Sequence, residues 1–246
     1  MKKPRIQSLP GLGLLLALFA GSVWAQQTSA ASTDQELKQV EQLIEQARKE
    51  IQQFQKDGGK TSDPNHPATK WAAVLWEYRE RHAGTPAAAK AASEAVHFLV
   101  HADRVPAAVA KADTVKPDDP TWEQLIGILF EAASIQKDYE FFVRKTQSLL
   151  RNGVEEKLKP SLHFSLGRAY WQQGDFQKAK EAFQTVLERA PGSSLAKQAE
   201  GSLYELTQLA PGRLAPPFEA RERNGSLISL AAYRGKAVLL IFWATT

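Results

Sequence analysis

The sequence contains no cysteine among its 246 residues. It therefore offers no disulfide bond, no cysteine for a lipid anchor and no thiol for redox chemistry. Packing must stabilise the fold, which is feasible for one or two domains in a chain of this length. The net charge is only +4, and the 31 lysines and arginines are not clustered. This even distribution disfavours a nucleic-acid partner.

Long apolar runs are also scarce, and the one near the N-terminus, Leu12 to Ala20, has nine residues. A membrane span takes about 20 apolar residues, so this segment is too short for a stable membrane anchor. Three basic residues precede it: Lys2, Lys3 and Arg5. With the small residues around Val23-Trp24-Ala25, the pattern is typical of a signal peptide. We predict a signal peptide over 1–25, cut after Ala25, and export to a bacterial periplasm; an uncleaved anchor is the alternative.

A capping box, Thr33 to Glu36, predicts the start of the next helix. Apolar residues then recur at a 3-4-3-4-3 spacing: Leu37, Val40, Ile44, Ala47, Ile51 and Phe54. Gly58 and Gly59 predict the end of the helix, so we assign an N-terminal helix to 33–59. Because the pattern covers fewer than three heptads, it favours packing against the rest of the chain over a coiled-coil dimer.

Between residues 68 and 209 apolar residues recur at helical spacing, and the breaks between helices are short and polar. Thr85-Pro86 predicts a helix start with proline in the first turn. The stretch 116–120 contains two prolines and predicts a break. No part of the chain before residue 210 alternates with the period of a strand. The sequence therefore predicts a mostly α array of helical hairpins over 68–209.

The clearest repeat lies at 160–193, where the residue spacing resembles that of a tetratricopeptide repeat with its period of 34. The matching residues are Leu166, Gly167, Tyr170, Ala179, Phe183 and Pro191. We expect Gly167 to let two helices approach closely, with Tyr170 and Phe183 filling the space between them. Gly201 and Tyr204 lie in register in a second copy that has only its first helix.

A degenerate earlier copy is predicted at 121–153, with Gly127 and Phe130 at the corresponding positions. The resemblance to tetratricopeptide proteins implies a concave groove that binds peptides or segments of a partner protein. The candidate groove residues are Phe164, Arg168, Trp171 and Gln172. Trp171 beside Arg168 is the kind of pair that anchors a protein contact. Packing against the neighbouring hairpin is the alternative role for these side chains.

Two histidines, His97 and His101, lie four residues apart on a predicted helix. This spacing places both imidazoles on one helix face, where they could bind one metal ion. No third ligand stands at a convincing spacing in the sequence. We therefore favour a solvent-exposed or interface pair, and we predict neither a metal nor a cofactor.

The pattern changes at Ala210-Pro211-Gly212, where helical spacing ends. Asn224-Gly225 predicts a type I′ hairpin between strands near 218–222 and 226–229. Residues 230–235 predict a turn or a single helical turn. The seven apolar residues from Ala237 to Trp243 are typical of a strand buried on both faces.

The motifs from 212 to 246 resemble the beginning of a thioredoxin-like domain of the alkyl hydroperoxide reductase/thiol-specific antioxidant type, in particular the TlpA-type periplasmic thiol–disulfide oxidoreductases. The matching residues are Gly212, Ala215-Pro216-Pro217-Phe218, Asn224-Gly225, Leu227, Ser229-Leu230, Tyr233-Arg234-Gly235-Lys236, Val238-Leu239-Leu240 and Phe242-Trp243-Ala244-Thr245. The resemblance implies that the helical array is followed by the first strands of an α/β thioredoxin fold, and that the complete protein has a redox partner.

In that family a Cys-x-x-Cys motif follows the buried strand. The residues that would flank it here are Phe242, Trp243, Ala244, Thr245 and Thr246. Since the sequence holds neither cysteine, we assign no catalytic residue and expect the chain as given to be inactive in insulin reduction. We interpret it as the N-terminal portion of a periplasmic thiol–disulfide oxidoreductase or peroxide reductase. The alternative is a non-enzymatic periplasmic tetratricopeptide module that binds other proteins.

Two explanations would place the end of the sequence just before the redox motif. One is a random truncation. The other is a selenocysteine at the position after Thr246, because its UGA codon is also read as a stop. An in-frame UGA followed by two codons, a cysteine codon and further thioredoxin-like sequence would support selenocysteine, and any other codon there would exclude it.

Overall fold

The computed structural model describes residues 13–241, 243 and 244, with side chains from residue 33 onwards. This part of the chain forms nine α-helices, two 3-10 turns and one two-stranded antiparallel sheet. It separates into two compact units, Met1–Ser165 and Leu166–Thr246. The prediction of a mostly α fold is confirmed. Across the described residues, none of the helices combines the length and the apolarity needed to cross a bilayer.

The first unit contains six complete helices: α1 (Gly13–Lys56), α2 (Pro67–Arg81), α3 (Pro86–His101), α4 (Val105–Asp113), α5 (Trp122–Gln136) and α6 (Glu140–Arg151). A 3-10 turn, Glu156–Leu158, leads into α7 (Lys159–Gln172), which has residues in both units. The second unit continues with α8 (Phe176–Arg189), α9 (Ser194–Gln208), β1 (Glu219–Arg221), β2 (Leu227–Ser229) and a 3-10 turn, Leu230–Tyr233.

Helix α1 begins before the capping box, so the prediction that Thr33 is an N-cap is wrong. No proline interrupts residues 13–56, and the leucines and alanines before Thr33 favour helix. The predicted end is confirmed, because α1 stops at Lys56 and Gly58 takes a left-handed φ of +85°. Residues 1–12 of the predicted signal peptide lie outside the described residues, and export and cleavage stay predictions.

Helix α3 is the centre of the first unit, where it packs against α1, α2, α4 and α5. Small side chains fill most of its buried positions: Ala87, Ala88, Ala89, Ala91, Ala92, Ser93 and Ala95. Because these side chains are small, the backbones of neighbouring helices can approach closely. The helix starts where Thr85-Pro86 predicts it, and Thr85 Oγ1 accepts a hydrogen bond from the Ala88 N–H at 3.1 Å. On α1, Val40, Ile44 and Ala47 are buried in this packing, as the heptad pattern predicts.

The close approach predicted at Gly167 is present in the second unit. A Cβ atom at this position would lie 2.6 Å from Cε1 of Phe183, which is shorter than real Cβ contacts. Phe183 and Ala179 are fully buried on α8, and Tyr170 on α7 is 8% exposed. These side chains occupy the positions that the repeat spacing predicts.

The close approach is not repeated at Gly127, where a Cβ would meet no side chain and no neighbouring element within 4 Å. The space at Gly201 is equally open, and Tyr204 is 49% exposed. Both agree with the prediction that this copy has only its first helix, because residues 210–235 form turns and a hairpin. Phe130 is buried through a different contact, an edge-to-face arrangement with Phe142 at 5.4 Å between ring centroids.

Substituting alanine at Gly167 and at Gly201 is expected to have opposite effects on stability. Gly167→Ala forces a methyl group against the buried ring of Phe183, which we expect to cost about 1–2 kcal/mol after the gain in helix propensity. Gly201→Ala lies in open space in the interior of α9 and should stabilise the protein by about 0.5–1 kcal/mol. Urea unfolding followed by circular dichroism measures both. Equal stabilisation by the two substitutions would contradict the close approach.

The hairpin in the second unit is present, but its turn differs from the predicted type I′. Strands β1 and β2 pair with Ala220 opposite Ile228. The Gly225 N–H donates to the Glu222 carbonyl at 2.9 Å, and Gly225 has a φ of +88° whereas Asn224 does not have a positive φ. This is the longer connection in which a left-handed glycine follows a type I turn, and the Asn224 side chain supports it by accepting from the Ser226 N–H.

The prediction of a buried strand at 237–243 is wrong for the described residues. Residues 237–241, 243 and 244 have no strand conformation, and β1 and β2 pair only with each other in the described chain. Leu239 is 83% exposed and Trp243 81% exposed. The physical reason is that apolar composition alone does not form a strand, which needs hydrogen bonds to a neighbouring strand. Phe242, Thr245 and Thr246 lie outside the described residues.

Candidate functional site

Helix α7 carries all four residues that the sequence predicts for a binding groove. Phe164 and Trp171 are partly buried, and Arg168 and Gln172 are exposed. Phe164 belongs to the first unit and the other three to the second. Within the second unit, Arg168 lies three residues before Trp171 and four before Gln172, so it shares a helix face with both.

The second unit contains a cavity of about 640 Å³ where the end of α7, the start of α8 and the end of α9 meet. Its lining residues are Trp171, Phe176, Glu205, Leu206, Leu209, Ala210, Pro211 and Arg213. Of the four predicted groove residues, only Trp171 lines this cavity. Sequence analysis missed the others because Phe176 directly follows a helix break and Leu209 directly precedes one. At such positions the repeat spacing gives no reason to expect a binding contact.

Local capping places Phe176 at the cavity. Gly174 turns the chain with a φ of +78°, and Asp175 then accepts a hydrogen bond from the Lys178 N–H at 3.2 Å. Asp175 is therefore the N-cap of α8, and Phe176 is its first helical residue. Because the first turn projects beyond the hairpin core, the Phe176 side chain is 58% exposed.

The end of α9 places Leu209 and Arg213 at the same cavity. The Leu209 N–H donates to the Glu205 carbonyl and ends the helix, and the Leu209 side chain is 52% exposed. A tight turn follows, in which the Arg213 N–H donates to the Ala210 carbonyl at 3.0 Å. Pro211 lies inside this turn and cannot continue a helix. The cavity wall is thus built by chain breaks rather than by a continuous helix face.

Trp171 connects this cavity to the hairpin core. Its ring meets Phe183 edge to face, with 6.3 Å between ring centroids and an interplanar angle of 82°. The Trp171 side chain thus packs on α8 within its own hairpin and also lines the cavity. Its role as a groove contact stays a prediction. The lining is mainly apolar with one guanidinium and one carboxylate, a composition suited to burying an apolar side chain of a ligand.

Comparison with known proteins finds a match to the family described as tetratricopeptide repeat over residues 160–193. The chain carries a tetratricopeptide repeat. The matched range is the one that the residue spacing predicts, and it contains Gly167, Phe183, Trp171 and Phe176. No curated protein and no solved structure matches the chain.

The two candidate metal-binding histidines of the first unit lie at the end of α3 with ring centroids 4.3 Å apart. The structure adds a third group that the sequence does not indicate. Glu131 of α5 lies beside them, with Oε1 3.2 Å from Nε2 of His101. One ligand atom from each of His97, His101 and Glu131 lies within 4.8 Å of the other two. Sequence spacing could not find Glu131, since it comes from a different helix.

A cavity of about 510 Å³ adjoins the two histidines and is also lined by His66 and Arg48. His66 is buried at the N-cap of α2, where its Nδ1 accepts from the Ala68 N–H at 3.2 Å. Burial lowers the pKa of His66, and the nearby positive charge of Arg104 lowers it further. His66 is therefore neutral near pH 7, with its proton on Nε2.

Of the five residues predicted to flank a redox motif, the structure describes Trp243 and Ala244, and both are exposed. Phe242, Thr245 and Thr246 lie outside the described residues, and the flanking role stays a prediction. Several residues of the thioredoxin-like motifs do lie together, around a separate cavity of about 420 Å³. They are Ala215, Pro217, Leu230, Tyr233, Arg234, Gly235, Lys236 and Val238.

Proposed function

We propose that this chain is a protein-interaction module whose second unit binds a peptide segment of a partner protein. The observation that supports this most directly is the tetratricopeptide repeat at 160–193, since such repeats form surfaces for protein binding. The cavity formed by α7, α8 and α9 is the candidate binding surface, and Trp171, Phe176 and Leu209 are its apolar contacts.

The exposed apolar side chains favour a ligand with an apolar anchor residue. Phe176 and Leu209 are each more than half exposed, and burying one such side chain contributes about 1.5–3 kcal/mol. Trp171 is held on Phe183, so it loses little side-chain freedom when a ligand binds. We therefore propose a peptide that inserts an aromatic or branched aliphatic side chain between these residues, with Arg213 available for a peptide carboxylate.

Replacing Leu209 with glutamate is the sharpest test of this surface. Peptides are first selected from a random phage-displayed library against the chain without residues 1–25, and the selected peptides are then titrated by fluorescence anisotropy. A charge in the cavity should weaken their binding by about tenfold or more, since it must be desolvated on binding. Ile135→Glu is the matched control, because Ile135 and Leu209 are both 52% exposed and Ile135 lies on α5.

The expected result is that Leu209→Glu and Trp171→Ala lose binding while Ile135→Glu binds like the unmodified chain. If no peptide is enriched, or if Leu209→Glu binds every selected peptide as well as the unmodified chain, this surface is not the binding site. Circular dichroism of each variant separates lost binding from lost folding.

A second proposal concerns residues 212–246, which we infer to be the beginning of a thioredoxin-like domain. Two observations support this proposal: a hairpin formed by β1 and β2 contains the Asn224-Gly225 motif, and residues of the resembling motifs line one cavity. In the complete protein the helical array would position a substrate, and the thioredoxin-like domain would exchange thiols and disulfides with a redox partner. The predicted signal peptide would place this exchange in the periplasm.

The genomic sequence after codon 246 tests the second proposal. A reading frame that continues with a Cys-x-x-Cys motif, or with UGA in place of the first cysteine codon, would support it. A frame that continues into unrelated sequence would refute this second proposal. The first proposal, a protein-interaction module, would then stand alone. Export is tested separately by expression in a Gram-negative host, where the mature protein in the periplasmic fraction should begin at Gln26.

A further inference from the structure

The geometry points to a binding site for a divalent transition-metal ion, formed by His97, His101 and Glu131 in the first unit. These residues combine two imidazoles and one carboxylate, a ligand set that suits Zn²⁺ and related ions better than Mg²⁺ or Ca²⁺. The site is built by α3 and α5, which pack against each other. It is independent of the peptide-binding surface proposed for the second unit.

The distances need only small side-chain movements to accommodate an ion. In a tetrahedral zinc site with bonds of about 2.1 Å, neighbouring ligand atoms are about 3.4 Å apart. His101 Nε2 and Glu131 Oε1 are already 3.2 Å apart. Each of the three residues offers a ligand atom within 4.8 Å of the other two. The longest of these separations is at most 4.8 Å, so binding needs ligand atoms to move by about 1.4 Å or less, and we expect side-chain rotation to supply this movement.

A fourth residue, Glu94, supports His97 from the side. Its Oε2 is buried, lacks a hydrogen-bond partner in the described chain and lies 3.8 Å from Nδ1 of His97. Its other oxygen, Oε1, accepts a hydrogen bond from Arg48 at 2.9 Å, which fixes the carboxylate. A histidine that binds metal through one nitrogen usually donates the hydrogen of the other to such a carboxylate. If His97 binds the ion through Nε2, its Nδ1–H would face Glu94 Oε2, which lies 3.8 Å away and is not yet hydrogen-bonded to it.

The surroundings leave coordination positions open. The side chains of His101 and Glu131 are nearly half exposed, and His97 and His101 also line the adjoining cavity. Water or a small anion can therefore complete the coordination sphere from that side. His66 lines the same cavity but is not a ligand, because its Nδ1 accepts from Ala68 and its Nε2 carries the proton.

Isothermal titration of ZnCl₂ into the full chain, purified without a histidine tag and treated with chelator, tests the site. We expect one Zn²⁺ per chain and no comparable binding of MgCl₂. His101→Ala and Glu131→Gln should each weaken Zn²⁺ binding by about tenfold or more, and Glu94→Gln by about tenfold. Co²⁺ should give the same stoichiometry, and its visible absorption reports whether the site is tetrahedral.

His82→Ala is the matched control. His82 also pairs with a glutamate, Glu36, at 3.5 Å, but no third ligand joins them in the described chain. This variant should bind Zn²⁺ like the unmodified chain. Three results would each overturn the proposal. They are the absence of one-to-one Zn²⁺ binding, binding by His101→Ala and Glu131→Gln that is as tight as in the unmodified chain, and a loss in His82→Ala as large as in these two variants. Since Glu131→Gln keeps the size of the side chain, it remains informative if His101→Ala does not fold.

Discussion

Replacing Trp122 with alanine is expected to lower the free energy of unfolding by about 3–5 kcal/mol, as for other large-to-small substitutions of a buried aromatic residue. Trp122 is fully buried at the start of α5. Its Nε1 donates to the Lys116 carbonyl at 2.8 Å, and the Lys145 ammonium lies 5.0 Å from the ring centroid. Alanine would remove the ring, leave a cavity and free the Lys116 carbonyl. Urea unfolding followed by far-ultraviolet circular dichroism measures the loss.

Two control variants separate packing from hydrogen bonding. Trp122→Phe keeps most of the ring but leaves the Lys116 carbonyl without its donor, so it should cost about 1–3 kcal/mol. Trp243→Ala makes the same change as Trp122→Ala at a tryptophan that is 81% exposed, and should change stability by about 0.5 kcal/mol or less. If Trp122→Ala were as mild as Trp243→Ala, the packing described for α5 would be wrong.

Replacing Phe183 with alanine should destabilise the second unit by a similar amount, about 3–5 kcal/mol. The ring is fully buried and lies against Gly167. It also contacts the ring of Trp171 edge to face. Its loss removes the contact that the repeat spacing specifies between α7 and α8. Thermal and urea unfolding should both show this loss of stability.

Phe176→Ala is the matched control on the same helix. Phe176 is 58% exposed, so its removal should change stability by about 0.5 kcal/mol or less. If the cavity at Trp171 binds peptides as proposed, Phe176→Ala should weaken peptide binding while leaving unfolding nearly unchanged. A large loss of stability in Phe176→Ala would show that this side chain belongs to the core instead of the binding surface.

The helical part of the fold could be predicted largely from local signals. Thr85-Pro86 marks the start of α3 because a threonine cap and a proline in the first turn act within one turn of helix. Gly167 and Phe183 could be assigned because the repeat places them at a characteristic separation. These signals depend on residues close in sequence or on a repeat with a known period.

The wrong predictions share a different cause. Thr33 has the sequence of a helix cap, but the helix already runs through it. The apolar run at 237–241 has the composition of a buried strand but no strand to pair with in the described chain. In each case the outcome depended on what lies next to the residue in space.

The candidate sites show the same division between local and distant information. The sequence pointed to Trp171 through its place in the repeat, and to His97 and His101 through their helical spacing. Phe176 and Leu209 became candidates only when α8 and α9 brought them to one cavity. Glu131 and Glu94 became candidates only when α5 packed against α3 and placed carboxylates beside the two histidines.

By itself the sequence determined that the chain is a mostly helical array with a tetratricopeptide repeat at 160–193, because helix formation and repeat spacing are encoded within a few turns. Only the tertiary structure decided which apolar side chains stay exposed around Trp171, and which carboxylate meets His97 and His101. The physical reason is that burial and ligand geometry depend on contacts between residues far apart in the chain. Local spacing carries no information about those contacts.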